Sequence, residues 1–169
     1  MSEPALIDSA DYVSSLGKSW LSEVAKLRKE ASDAVPEHDA SPGQVYHALL
    51  AVRGALDRVE EILAQAMAMR SGAEASAREK AELAADELDK EVSERRARAR
   101  DYEAAQERLA DARLSSLGYA RRARAAQKLA DQAASIESRI RLAHRGLDST
   151  RGDLIAALRH VSWESSVDR

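Results

Sequence analysis

The stretch VYHALLAVRGALDRVEEILAQA, residues 45–66, decides the fold. Its apolar residues Val45, Leu49, Val52, Leu56, Val59, Leu63 and Ala66 recur at alternating steps of four and three. That spacing lays one narrow apolar seam along a helix and buries it against another helix. A second stretch, residues 129–161, repeats it as Leu129, Ala133, Ile136, Ile140, Ala143, Leu147, Thr150, Leu154, Ala157 and Val161, with Thr150 the one polar member. The midpoint of Val45 and Val161 is residue 103. A chain that folds back there lays the two seams side by side.

The helix that carries the first seam has a clear start. Ser41 can cap, Pro42 suits the first helical position and Gln44 completes a capping box. No proline follows Pro42. Two places compete for the turn. Ser115-Ser116-Leu117-Gly118 is the stronger local breaker, but a turn there leaves the seam of 45–66 without its match. Arg100-Asp101-Tyr102-Glu103 is locally weaker, although Asp101 can cap a new helix, and a turn there pairs both seams. The expectation is a hairpin over residues 44–169 turning near 98–104. Its two helices hold roughly 55 residues and extend about 80 Å each, and Ser115–Gly118 makes a kink or brief break.

Residues 1–43 read as an amphipathic helix followed by a proline-containing loop. Leu6, Val13, Leu16, Trp20, Val24 and Leu27 share one side of a helix over 2–31, with Ile7, Leu21 and Ala31 flanking. Gly17 weakens that helix by about 1 kcal/mol relative to alanine. The segment SDAVPEHDASPG (32–43) then ends it. The fold class expected is all-α: a long antiparallel helical hairpin (a coiled coil) whose open end takes the short N-terminal helix to make a three-helix base. Trp20, Tyr46 and Trp163 are expected to meet in that base. Farther along, the seam thins to Ala73, Ala77, Ala81, Ala84, Leu88 and Val92 with a stutter in register. Alanine buries little area, so this part should be less stable.

Composition agrees with long helices. Aromatics are 4% of the 169 residues, phenylalanine is absent and glycine and proline total ten, which suits a thin bundle better than a large globular core. No window of about 18 apolar residues suggests a membrane span. The N-terminus lacks the basic-then-apolar pattern of a signal peptide. With no cysteine, disulfides, thiolate metal sites and cysteine nucleophiles are excluded. A cytoplasmic or virion-associated location is expected. Charge is uneven: residues 61–94 carry net −5 and residues 95–145 net +7. An acidic helix followed by a basic one helps an antiparallel pair choose its direction.

Candidate chemistry is sparse. His47 and His160 fall at matching heights of the hairpin, but no Glu-x-x-His pair accompanies them. Glu60-Glu61 and Asp86-Glu87 are sequence neighbours that point to different helix faces. Ser115 and Ser116 lack a nucleophile-elbow glycine pattern and a nearby base. These observations predict no enzyme, no metal, no cofactor and no small-molecule substrate. The arginines carry more: Arg95, Arg96, Arg98 and Arg100 lie within six residues, and Arg121, Arg122 and Arg124 within four. Such rows can contact nucleic-acid phosphates. They can equally pair with Glu79, Glu82, Asp86, Glu87, Glu91 and Glu94 on the opposite helix. Net charge −3 and the lack of an aromatic stacking platform favour pairing. Alanines where a membrane-surface helix carries large apolar residues argue against membrane binding.

The segments DYEAAQERLA (101–110) and GLDSTR (146–151), with the closing Trp163-Glu164-Ser165-Ser166, resemble stretches of small helical proteins encoded by actinobacterial phages and prophages. The resemblance spans the last 70 or so residues and implies a virion or accessory component, with no site residue to carry over. Together these readings predict a non-enzymatic structural or adaptor protein acting through protein–protein contacts or self-association. The alternative is a nucleic-acid-binding accessory protein that uses the arginine rows.

Overall fold

The computed structural model describes residues 10–37, 39–98 and 105–167. They form three helices, α1 (Ala10–Ala34), α2 (Pro42–Arg98) and α3 (Ala105–Val167), with no strand among the described residues. The fold is an all-α helical hairpin of α2 and α3 with α1 packed against it. α1 continues three residues past Ala31, while its expected beginning, with Leu6 and Ile7, lies outside the described residues. Asp39, in the link to α2, has φ 71°, a left-handed conformation that a short polar side chain tolerates. The capping box then forms: Ser41 N donates to Gln44 Oε1 at 2.9 Å and Gln44 N to Ser41 Oγ at 3.3 Å. Two amides with no partner inside the helix are thereby satisfied.

Residues 99–104, with Arg100 and the expected turn at Asp101, lie outside the described residues. α3 runs through Ser115–Gly118 without the expected break. Glycine in a helix costs only about 1 kcal/mol. The Ser115 hydroxyl, moreover, donates to Glu87 Oε2 on α2 at 2.9 Å rather than competing for its own backbone.

The chain divides into two compact units, Ser14–Ala68 with Ser135–Arg169, and Met1–Val13 with Met69–Ala134. In the first, three helices pack together. Val45, Val52, Leu56 and Val59 of the expected seam are buried, with Leu49 and Leu63 half-buried. Ala48, Ala55 and Ile62, outside that seam, are buried as fully. The stripe is wider than a two-helix seam because α2 here has two neighbours. Arg58 Nε and Nη2 reach Glu23 of α1 at 2.6 and 3.2 Å, and Glu60 Oε1 meets His144 Nε2 of α3 at 3.0 Å. On α3, Leu129 (in the second unit), Ile136, Ile140, Leu147 and Leu154 are buried, and Thr150 satisfies its hydroxyl on the Gly146 carbonyl at 3.1 Å. The Val161 and Trp163 side chains lie outside the described residues. Trp20 is buried but Tyr46 is exposed, which corrects the expected aromatic cluster: Tyr46 follows Val45 and so projects beside the buried stripe.

Gly17 has a structural role that its composition cost conceals. A Cβ there would stand 2.3 Å from Ile136 Cδ1 and 3.0 Å from Cγ1. α1 approaches α3 this closely because residue 17 has no side chain.

Candidate interaction surface on the two-helix unit

In the second unit α2 and α3 pair with only Val13 and its neighbours from α1. Ala66, Ala73 and Ala77 are buried and Arg70 is half-buried, so the alternating four-three step counted from Val45 continues unbroken past residue 66. The same step carries the inward row of α2 on to Lys80, Ala84, Glu87, Glu91 and Glu94, each half-buried or buried. The facing row of α3 is Leu109, Ala112, Ser116, Tyr119, Ala123 and Ala126.

This inner face is therefore polar where leucine was expected. Of the expected continuation of the seam, Ala73 and Ala77 are buried and Ala84 half-buried, but Ala81, Leu88 and Val92 face outward. The expected row takes two four-residue steps in succession at Ala73, Ala77 and Ala81, which carry it sideways on a 3.6-residue helix, whereas the observed row keeps the alternating four-three step and meets polar residues there. Glu91, buried, accepts from Arg95 Nη2 at 2.6 Å and has Arg113 Nε of α3 at 3.6 Å. Glu87 accepts from Lys90 at 2.8 Å and from Ser115. These bonds hold the Glu87 carboxyl below its ordinary value, Lys90 first and Ser115 second, and Glu87 in turn raises Lys90. Glu91–Arg113, Glu87–Ser115 and, in the other unit, Glu60–His144 centre on residues 102, 101 and 102. All three belong to an antiparallel register.

With polar groups inside, large apolar groups stand outside. Leu83, Leu88 and Val92 on α2 are 43%, 53% and 37% exposed, and Leu114 and Leu117 on α3 are 70% and 58% exposed. Single exposed leucines are ordinary, whereas several on one short helix pair make that pair a candidate interaction surface.

The arginine rows separate here. Arg95 pairs with Glu91 on its own helix. Arg96, Arg121 and Arg124 are exposed and make no ion pair among the described residues, while Arg122 lies 5.5 Å over the Tyr119 ring. The Arg98 side chain and Arg100 lie outside the described residues. Arg113, in neither row, makes the cross-helix contact. Its signal was its place beside the inner row of α3, opposite Glu91 once the four-three step is carried past Ala77.

His47 and His160 are both exposed, and no group of three or more His, Cys, Asp or Glu residues is placed to hold a metal ion among the described residues. No described helix is long and apolar enough to cross a membrane. No protein-family model, curated protein or solved structure matches the chain.

Proposed function

We propose that this chain is a non-enzymatic structural or adaptor protein that works through protein–protein contacts made by its two-helix unit as a coiled-coil element. The observation that carries the reading is the inversion just described: Glu87, Glu91 and Ser116 line the inside while Leu88, Val92, Leu114 and Leu117 stand in solvent. Burying a leucine contributes about 1.5–3 kcal/mol, so a helix pair arranged this way gains most of its remaining stabilisation from a partner. The resemblance of residues 101–110 and 146–151 to phage and prophage proteins supports a virion or accessory component.

A photo-crosslinking amino acid at position 117 in cells should give discrete protein adducts. The same group at Leu142, exposed on the three-helix unit, should give few. Adducts to nucleic acid alone, or equal labelling at both positions, would contradict the reading.

A second reading has its own observation. Arg121 and Arg124 are exposed without an ion partner among the described residues, and Arg122 stacks near Tyr119. Nucleic-acid binding through them predicts affinity that falls steeply from low to moderate salt. No retention of an oligonucleotide at low salt removes it.

A further inference from the structure

We infer that one side of the two-helix unit is a groove for an amphipathic helix of another protein, one whose apolar stripe is flanked by carboxylates. The inference rests on the protein-contact reading and names the chemistry of its partner. On α2, Arg78, Ala81, Ala85, Leu88, Val92 and Arg95 follow one another at alternating steps of three and four, and all are exposed. On α3, Ala110, Arg113, Leu117, Ala120 and Arg124 do the same, exposed except for the half-buried Ala120. Each row therefore lies along one flank of its helix. The two flanks border each other, because Arg95 of the first row and Arg113 of the second both reach Glu91 Oε1, at 2.6 and 3.6 Å. Ser115, which donates to Glu87, stands on the other flank of α3.

With the antiparallel register centred near residues 101 and 102, Arg124 stands level with Arg78, Leu117 with Ala85 and Ala110 with Val92. The groove therefore has an apolar floor about 25 Å long, the reach of about five helical turns, with arginines at both ends and in its middle. Its alanines let a helix approach closely, and Leu88, Val92 and Leu117 give that helix apolar area to bury. Glu74, the next position of the α2 row, is paired with Arg70 at 2.8 Å and ends the floor.

Charge selects the partner. Residues 78–95 carry seven carboxylates, yet none lies in the exposed row. The four arginines of the two rows, with Glu91 beneath them as the one carboxylate, leave the groove at net +3. The outer rims cancel: Glu82, Asp89 and Arg96 on α2 against Glu107, Arg121 and Lys128 on α3, all exposed. A helix with carboxylates beside an apolar stripe meets both the floor and the arginines. A second copy presenting the same face would set arginine against arginine. A nucleic acid would neutralise the arginines but leave Leu88, Val92 and Leu117 in water.

Two synthetic helical peptides of about five turns, titrated with the intact chain, test the groove. Both carry the same leucine stripe at i, i+3, i+4 and i+7; glutamate flanks it in one and lysine in the other. The glutamate peptide should bind, and the lysine peptide at least about tenfold more weakly. L88E/L117E should keep its helicity by circular dichroism and lose the glutamate peptide. R78E/R124E should exchange the preference, weakening the glutamate peptide and strengthening the lysine peptide. The wild type alone should show the 18.4 kDa mass of one chain by light scattering.

Equal binding of the two peptides, no binding of the glutamate peptide, or a preference that R78E/R124E leaves unchanged overturns the proposal. So does a wild-type dimer that L88E/L117E dissociates, which gives the face to a second copy, or an oligonucleotide retained where the glutamate peptide is not. If the glutamate peptide fails while position 117 still forms protein adducts in cells, the partner's chemistry is wrong and the protein-contact reading stands.

Discussion

At the scale of single residues, Gly17 shows how sequence and structure can weigh one position with opposite signs. Helix propensity makes Gly17→Ala a gain of about 1 kcal/mol. Packing makes it a loss, because the new methyl would meet Ile136, whose Cγ1 stays close even if χ2 turns Cδ1 away. Overpacking of a closed interior costs about 1–3 kcal/mol, so Gly17→Ala should lower stability in chemical denaturation. Ile136→Val, which removes Cδ1, should recover part of the loss when combined with it, and that coupling is what a double-mutant cycle reads. A Gly17→Ala chain more stable than wild type would show that α1 does not need this approach.

At the scale of elements, the two ends of α2 differ in what they bury. Ile62 is fully buried and Leu88 is 53% exposed, although the expected seam includes Leu88 and not Ile62. Ile62→Ala should cost about 2–4 kcal/mol, and Leu88→Ala within about 0.5 kcal/mol at concentrations where the chain is monomeric. Chemical denaturation of the two variants checks this, and equal losses would restore the expected seam. The existence of the helices, the capping box and the antiparallel match of α2 with α3 were legible in residues 41–66 and 129–154, because period and capping chemistry are local properties. The inner row beyond Ala77 is legible only in the step, which counted from Val45 reaches Lys80, Ala84, Glu87, Glu91 and Glu94; its polar residues give no apolar signal, whereas Ala81, Leu88 and Val92 beside it do. Alanines at 73, 77, 81 and 84 fit two registers equally, and the choice between them is made across the pair, by Glu87 with Ser115 and Glu91 with Arg113.

α1 is tied to α2 partly by charge. The hydrogen bond from Arg58, followed by its Coulombic attraction, holds the Glu23 carboxyl below its ordinary value near 4.5. The folded state therefore binds fewer protons than the unfolded state in this range. The contribution is complete above pH 4.5 and is lost as pH falls through the lowered value. Both groups are partly exposed, so the effect is small. Thermal midpoints of wild type and Glu23→Gln should differ at pH 7 and draw together as the pH falls below 4.5. A constant difference would mean that the pair does not titrate with folding.

At the scale of the whole molecule, one chain holds two units that obey different rules. Ser14–Ala68 with Ser135–Arg169 surrounds an apolar interior with three helices. Met69–Ala134 pairs two helices across a polar row and leaves its leucines outside. Local stability follows buried apolar contact, so the first unit should be complete in a single chain and the second should depend on what covers it. Hydrogen exchange of the intact protein, alone and with the glutamate-flanked peptide, tests this most directly. Amides of residues 78–95 and 107–125 should exchange faster than those of 48–66 and 136–150 in the protein alone, and should gain protection when the peptide is added. Equal protection in both units, unchanged by the peptide, would contradict the claim that the leucine-bearing face works by being covered.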